Sequence, residues 1–355
     1  MDVQGEVELH FHGEVVRSGN HVNLSAVRTD GECLWLAGDE TATVERLVLD
    51  SATTPKRADD QLSVRLADLV ELPGGPDDEA DIEGLARAGE HLWVVGSHSL
   101  VRKQIKPRNS EAKALRRLAT VRREPNRFVL ARLAVQPGPD GRPVPARVTD
   151  DGRVSALAGA PGAVGLTDLL TDDEHLAPFL AIPSKDNGLD VEGLAVHGDA
   201  VYVGLRGPVL RGWAVVLEVR PVADPDDPAR LRWGAFADGT RCRKHLLDLG
   251  GLGVRDLCPH GDDLLVLAGP TMSLSGPVRV YRWHGAARAE TPRVVRGEEL
   301  TVETELPHGD GEDHAEGIAL LPGMPPRLLV VYDSPSARRR PTPHSVLADV
   351  VALRS

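Results

Sequence analysis

One segment type recurs along the chain at intervals of about 60 residues, and it limits the fold more than any other feature. Each copy has an apolar stretch, a turn and a second apolar stretch, and the copies begin at Leu24, Ile82, Val191, Val254 and Ala315. An acidic or polar residue near the start of each copy recurs at separations of 58, 109, 64 and 60 residues: Ser25, Glu83, Glu192, Asp256 and Glu316. Self-similarity at this period predicts a ring or array of similar units.

Each copy is typical of a β-hairpin, with a turn such as that at 197–199 followed by a strand rich in Leu, Val, Trp or Tyr. Further alternating segments follow, for example Thr43–Leu49 and Val278–Trp283. Four strands per repeat is typical of a propeller blade. We therefore predict an all-β fold, a single β-propeller of five blades. Six blades stay open, because the 109-residue gap could hold a degraded blade around 146–159.

The two ends of the chain predict how the ring closes. The last copy is followed by one more strand, Ser345–Leu353, and the strand-like segment Glu6–His12 precedes the first copy. We expect the N-terminal strand to complete the last blade, which removes two open sheet edges.

Two insertions are predicted inside this single domain, which spans 1–355. The first, 102–127, is a basic helical insertion in the second blade, with Asn109 or Ser110 able to cap the helix. The second, 136–182, is a loop with a short helix, for which Thr171 and Glu174 have the capping-box spacing.

The net charge of the chain limits the classes of partner that it can bind. The net charge of −12 argues against a whole-surface binder of nucleic acid or of anionic membranes. Segment 102–127 holds ten basic and two acidic residues, a net charge of +8, so the rest of the chain carries −20. Its lack of aromatic residues makes nucleic acid an unfavourable partner.

The chain has neither a signal-peptide pattern nor a long apolar run, so we predict a cytoplasmic protein without a membrane partner.

Propeller geometry brings the first residues of the inner strands and the last residues of their partners to one mouth of the central channel. The inner strands contribute the repeated position, and Asp81 and Asp190 lie two residues before Glu83 and Glu192, on the same strand face. The partner strands end at Asp39, His98, Arg206, Thr271 and Asp333.

Carboxylates gathered in this way repel one another, so we expect a cation to bind among them. Because all the ligand atoms are oxygens, Ca²⁺ or Mg²⁺ is the expected metal. The predicted metal ligands are Glu83, Glu192, Asp256 and Glu316. A structural role, in which each carboxylate bonds the backbone or an arginine of the next blade, stays open.

Three segments carry a resemblance to a known family: 179–195, 204–214 and the pair of Glu316-Gly-Ile and 331–335. They resemble an uncharacterised bacterial β-propeller family, a domain of unknown function that is similar to the esterase-like phytases at the Glu-Gly-Leu-Ala signature. The resemblance implies a propeller fold and gives no established activity.

Basic and amide groups bordering the same mouth are candidates for binding an anionic small molecule: Lys185, Asn187, Arg206, Arg211 and Arg102. The chain has no G-x-S-x-G, P-loop, GxGxxG or HExxH motif, so a metal-activated water is the more plausible nucleophile. His98 and Glu192 are the catalytic candidates. The leading hypothesis is a metal-assisted hydrolase, or a binder, of a phosphorylated or otherwise anionic small molecule. The alternative is a non-catalytic propeller that binds a protein partner and whose carboxylates are structural.

Overall fold

The computed structural model describes residues 3–160, 162–272 and 274–354. The strands of the first half, within these residues, are β1 (Val3–His10), β2 (Leu24–Asp30), β3 (Cys33–Gly38), β4 (Thr43–Leu49), β5 (Arg57–Arg65), β6 (Ile82–Ala88), β7 (His91–Gly96), β8 (Val101–Arg102), β9 (Val121–Arg122), β10 (Leu130–Pro137), β11 (Pro143–Ala146) and β12 (Ala156–Ala158). Those of the second half are β13 (Asp190–His197), β14 (Ala200–Leu210), β15 (Trp213–Ala223), β16 (Leu231–Gly234), β17 (Cys242–Asp248), β18 (Gly253–His260), β19 (Asp263–Gly269), β20 (Val278–Trp283), β21 (Val294–Val295), β22 (Leu300–Leu306), β23 (His314–Leu321), β24 (Arg327–Asp333) and β25 (Ser345–Ala352).

Helices are short and few by comparison. The α-helices in the described residues are α1 (Glu14–Arg17), α2 (Leu66–Leu69) and α3 (Glu111–Leu118). Single 3₁₀ turns lie at Asn20–Val22, Pro125–Phe128, Thr167–Leu170, Ala177–Phe179, Ser184–Asp186, Ala286–Arg288, Gly297–Glu299 and Ala337–Arg339. None of the helices in this part of the chain combines the length and apolar character that crossing a membrane requires.

The strands form antiparallel meanders that follow the chain. One sheet has the order β6-β7-β10-β11, one begins β13-β14-β15-β17 and one is β18-β19-β20-β22. The largest sheet joins β2-β3-β4-β5 to β23-β24-β25-β1 through a short parallel pairing of β1 with β5. The first strands of the meanders pack on one another in a closed cycle, β2 on β6, then β13, β18, β23 and back to β2. The fold is therefore mostly β and propeller-like.

The predicted closure is confirmed. The N-terminal strand β1 pairs antiparallel with β25, from Val3 opposite Val351 to His10 opposite Ser345. The first and last parts of the chain thus share one meander, which protects both ends from exposed sheet edges.

Apolar side chains fill the space between adjacent sheets. Trp35, Trp93 and Tyr202, which occupy one repeat position, are 0%, 6% and 1% exposed, in agreement with the core role that the repeat indicates. Burying a large aromatic side chain of this kind stabilises the fold by about 2–3 kcal/mol relative to leaving it in water.

The predicted insertions are partly corrected. In the first, a helix does form, but only at Glu111–Leu118, on a stem made by β8 and β9. The second contains β11 and β12, which both pair with β10, so the stretch at 146–159 extends the second sheet and does not start a new one. The helix expected at Thr171 is absent from this described stretch. A 3₁₀ turn ends there instead, and the Thr171 hydroxyl donates back to the Asp168 carbonyl at 2.9 Å.

Candidate functional site

The first strand of every meander carries a β-bulge near its start. At each bulge the pairing with the second strand shifts by one residue, which leaves one residue outside the ladder and re-aims its side chain. These residues are Ser25, Glu83, Glu192, Arg255 and Glu316.

A glycine follows the bulge where neighbouring first strands approach closely. A Cβ added to Gly84 would lie 2.8 Å from the Leu194 Cβ, and one added to Gly193 would lie 2.9 Å from the Leu257 side chain. The Glu-Gly pair of the repeat therefore has a physical reason: the glutamate occupies the bulge, and the glycine lets the next strand pack against it.

The repeat position of the fourth copy is Arg255, which corrects the sequence alignment. From the sequence alone, the repeat position of the fourth copy is assigned to Asp256, whose negative charge matches that of the glutamates in the other copies. The structure aligns the bulge at Arg255, between Val254 and Asp256, with the bulge at Glu192. The signal was present in the sequence, because the apolar residues Val254 and Leu257 have the same spacing as Val191 and Leu194.

Asp256 is a structural residue, so its predicted role as a metal ligand at the mouth is wrong. It is 0% exposed and pairs with both terminal nitrogens of Arg28, at 2.6 and 2.8 Å. Its oxygens also accept hydrogen bonds from the backbone N–H groups of Leu257 and Ile318, at 2.7 and 2.8 Å. Burial raises the pKa of Asp256, and Arg28 opposes that rise. No oxygen of this carboxylate is left for a cation.

Arg28 ties several first strands together beneath the mouth. Besides Asp256 it donates to the carbonyls of Leu194 in β13, Leu257 in β18 and Ile318 in β23. Arg28 itself belongs to β2 and is 4% exposed. The ion pair therefore joins four of the five first strands at their centre.

A cavity of about 240 Å³, called the mouth below, opens where the bulges gather. Its lining includes five carboxylates, three basic side chains and one histidine. These are Asp39, Glu83, Glu192, Glu316, Asp333, Lys185, Arg206, Arg255 and His314. Of the predicted site residues, the structure brings Glu83, Glu192, Glu316, Lys185 and Arg206 together here.

On one side of the mouth, carboxylates and arginines alternate. Arg206 donates to Glu192 at 2.6 Å, Arg255 lies 3.6 Å from the second oxygen of Glu192, and Arg255 also donates to Glu316. Burial raises the pKa of Glu316 to about 7, against the opposing effect of Arg255. We call Glu192, Arg206, Arg255 and Glu316 the paired half. Arg206, a predicted anion ligand, is already bound to Glu192 and to the Met272 carbonyl.

On the other side, carboxylates meet with less compensation. Asp39, Asp81 and Glu83 each offer one oxygen, and these oxygens lie within 4.8 Å of one another. Asp81 receives a hydrogen bond from Arg127, but Asp39 Oδ1 is buried and has no hydrogen-bond partner among the described residues. We call these three residues the open half, of which Asp39 and Glu83 line the mouth and Asp81 adjoins them.

The protonation of the open half reflects this crowding. Burial, followed by the charge of Asp81, raises the pKa of Asp39 to about 8. Burial and the charges of Asp81 and Glu192 likewise raise the pKa of Glu83 well above its ordinary value. A carboxyl group with a pKa raised in this way stays protonated at neutral pH unless a cation binds it and favours its ionised form.

The open half contains two residues that the predicted ligand set lacked, Asp39 and Asp81. Each had a signal in the sequence: Asp39 closes a second strand, and Asp81 lies two residues before Glu83. Asp81 has a left-handed backbone, with φ of 50°, a conformation that is uncommon for residues other than glycine but that aspartate adopts more readily than most.

His98 does not line the mouth. It is 2% exposed, its Nδ1 lies 2.9 Å from the Gly96 carbonyl, and its ring packs edge-on against Phe128. Burial lowers its pKa to about 4. The geometry therefore gives His98 a packing role and offers no contact through which it could act as a base on a molecule in the mouth.

The other predicted anion ligands also lie off the mouth. Asn187 ends a 3₁₀ turn with φ of 68°, and Arg211 is exposed in the turn between β14 and β15. Arg102 donates to Asp186 at 2.6 Å and to the Leu118 carbonyl at 2.5 Å. Lys185 is the predicted basic residue that lines the mouth without an ion pair to any described residue.

The chain matches one protein family by sequence and is similar in fold to several solved structures. A family described as "Protein of unknown function (DUF3616)" matches residues 23–349. No curated protein matches the chain by sequence. Among solved structures, the chain is similar to the glutaminyl cyclase of Myxococcus xanthus, at 12% identity over 99% of this chain and 100% of that one, with a TM-score of 0.41. It is also similar to extracellular domains 1–2 of Drosophila Semaphorin 1a, at 12% identity over 92% and 75% of the two chains, with a TM-score of 0.40. Similarities at this level carry no argument about function.

Proposed function

Because the chain belongs to the DUF3616 family, whose function is unknown, we propose a function from the mouth itself. The mouth binds a divalent cation at Asp39, Asp81 and Glu83, and beside it a small molecule with an anionic group such as a phosphate ester. We also infer that the ring has five blades, because five first strands contact one another in a closed cycle.

This proposal rests on one observation: carboxylate oxygens in a single cavity are buried and accept no hydrogen bond from a described residue. Asp39 Oδ1 is buried and accepts no hydrogen bond from a described residue. The second oxygen of Glu192, in the same mouth, also accepts none, although Arg255 lies 3.6 Å from it. Leaving a buried polar atom without a hydrogen bond costs about 1–3 kcal/mol, and more when it is charged. A bound cation would remove that cost in the open half.

The irregular set of oxygens in the open half favours Ca²⁺ over Mg²⁺. Asp39, Asp81 and Glu83 each offer one carboxylate oxygen, and they come from different parts of the chain. Ca²⁺ accepts oxygen ligands in flexible geometry, whereas Mg²⁺ demands near-ideal octahedral geometry and usually keeps several of its waters. We therefore expect Ca²⁺ to bind here more tightly than Mg²⁺.

An anionic group would be bound by the cation and Lys185 together. Lys185 lines the mouth, and its charge acts on both Asp81 and Asp190. A cation takes one oxygen of a phosphate while an ammonium group takes another. If the bound molecule is a phosphoester, the second oxygen of Glu192, which accepts no hydrogen bond from a described residue, would accept a proton from an attacking water. The resemblance to esterase-like phytases would fit this chemistry and rests on the Glu-Gly signature alone.

Thermal unfolding with and without Ca²⁺ tests the cation site. We expect Ca²⁺ to raise Tm by several degrees, Mg²⁺ to raise it less, and a chelator to reverse both effects. Glu83→Gln should abolish the rise. Glu303→Gln is the control, since Glu303 is a buried glutamate that pairs with Arg282 at 2.7 Å away from the mouth. A Tm that no divalent cation changes would refute the cation site.

A second function has its own support. Asp256, Glu192 and Glu316 are all bound by arginines, as expected if the carboxylates only hold the ring together. In that case the protein is a non-catalytic propeller that binds another protein. A screen of small phosphoesters with each cation separates the two: turnover that is lost in Glu192→Gln supports hydrolysis, and a chain that binds cation without turnover supports a binding role only.

A further inference from the structure

A 25-residue segment between β7 and β10 stands away from the core. From Val101 to Pro125 no residue is buried, although the segment contains the β8–β9 stem and the helix α3. We call this segment the basic arm. An ordered segment of this length normally buries apolar side chains to offset its loss of conformational entropy. The basic arm does so nowhere along its length.

The helix of the basic arm is amphipathic and exposes its apolar side. With 3.6 residues per turn, Leu115 and Leu118 share one side of α3, and Lys113, Arg116 and Arg117 lie on the opposite side. Leu115 is 69% exposed and Leu118 is 46% exposed. An amphipathic helix normally turns its apolar side to the core. Here that side faces away from the protein.

Specific contacts hold the helix in this orientation. Arg117 donates from Nε to the Gln104 carbonyl at 2.6 Å, on the side of α3 opposite the leucines. Arg102 donates to the Leu118 carbonyl at the C-terminal end, where a cation also compensates the helix dipole. The exposure of the leucines is therefore built into the arm.

Exposed apolar side chains lie among the basic residues throughout the arm. Ile105 is 52% exposed before the helix and Val121 is 39% exposed after it. Segment 102–127 carries a net charge of +8. Its surface thus combines a diffuse positive charge with separate apolar side chains.

We propose that the basic arm binds an anionic lipid surface, with Leu115 and Leu118 in the headgroup boundary and the basic residues against the phosphates. Interfacial helices have this arrangement of leucines opposite lysines and arginines. An anionic bilayer complements a diffuse positive charge without needing a shaped pocket. Nucleic acid fits less well, because the arm has no aromatic residue on which bases could stack.

This inference is independent of the cation site and revises one expectation from the sequence. A membrane partner was not expected, since the total charge is −12 and no long apolar run occurs. Both criteria describe the whole chain. The exposed side of a two-turn helix is a local feature that neither criterion detects.

Sedimentation with vesicles tests the proposal on the full chain. We expect binding to vesicles of equal parts phosphatidylglycerol and phosphatidylcholine, none to phosphatidylcholine alone, and a steep loss of binding as salt rises. Lys113→Gln with Arg116→Gln should weaken binding by about 25-fold, or about fivefold per basic residue. Leu115→Ser with Leu118→Ser should weaken it by about tenfold or more.

The controls separate insertion from charge and from folding. Met324→Ser, which removes an apolar side chain that is 88% exposed and outside the arm, should leave vesicle binding unchanged. Unfolding curves should be unaltered in the leucine variant, because both side chains are exposed. No binding to the anionic vesicles would overturn the proposal, as would binding that the leucine variant retains in full. Tighter binding to an oligonucleotide than to the vesicles would also overturn it, in favour of nucleic acid.

Discussion

The two halves of the mouth contain the same kind of residue in opposite situations. In the paired half, Glu192 and Glu316 lie in contact with Arg206 and Arg255. In the open half, Asp39 and Glu83 receive no hydrogen bond from an arginine among the described residues, and burial with neighbouring negative charge raises the pKa of each. Glu83 and Glu192 even occupy the same repeat position. A repeated glutamate therefore has no fixed role in this ring.

One substitution in the repeat accounts for much of the difference. The fourth copy has Arg255 in the bulge where the second, third and fifth copies have glutamate. Arg255 reaches the glutamates on both sides, Glu192 and Glu316, but not Glu83. The arginine in this one position of the ring thus compensates Glu192 and Glu316 and leaves Glu83 without such a contact.

The largest effect is expected where a carboxylate is paired and fully buried. Asp256→Ala leaves Arg28 buried without its counter-charge, which should lower the free energy of unfolding by about 3–5 kcal/mol. Urea unfolding of the variant measures this loss. Glu83→Gln is the contrasting variant: in the presence of a chelator it replaces a half-buried carboxyl group that receives no hydrogen bond from a described arginine, and it should leave the protein as stable or more stable. A loss below about 1 kcal/mol for Asp256→Ala would show that the ion pair does not hold the ring.

A smaller effect is expected from pH in the open half. The pKa of Asp39 is about 8 in the folded protein, far above its ordinary value of 3.8. Between these two pH values the unfolded chain loses the proton that the folded chain keeps, so stability should fall as pH rises from about 4 to about 8. Glu316, with a pKa of about 7, acts in the same direction. A cation that binds the ionised carboxylates should reverse the fall at pH 8.

Urea unfolding at pH 5 and pH 8, each with chelator and with Ca²⁺, measures this dependence. Asp39→Asn should flatten the decline with chelator by about 1–3 kcal/mol, since one pKa unit corresponds to about 1.4 kcal/mol and a side chain with partial solvent access feels less than the full shift. It should also remove the gain from Ca²⁺ at pH 8. Stability that is constant or increases over this pH range would contradict the uncompensated burial of the open half.

The sequence predicted the fold better than the site, and the reason is physical. Apolar spacing and turn residues are local, so the hairpins, the buried position of Trp35 and Trp93 and the pairing of the two chain ends could all be inferred. The site depends on which arginine reaches which carboxylate, and these pairs lie far apart in the chain. Arg28 and Asp256 are 228 residues apart. Matching the fourth copy by charge, and not by the spacing of Val254 and Leu257, also concealed the arginine at its bulge.

The smallest effect on stability is expected for Lys185, which belongs to neither half but lines the mouth beside them. This side chain is exposed and forms no ion pair with a described residue, so Lys185→Ala should change the free energy of unfolding by less than about 0.5 kcal/mol. It should nevertheless weaken the binding of inorganic phosphate in the presence of Ca²⁺ by about tenfold, because one of the two cationic contacts is lost. Isothermal titration with phosphate measures the change, with Arg211→Ala, an exposed basic residue off the mouth, as the matched control. Equal phosphate affinity in the two variants would place the anion away from the mouth. A loss confined to Lys185→Ala would mean that the anion binds at the mouth beside Lys185, as expected if it bridges this lysine and a cation in the open half.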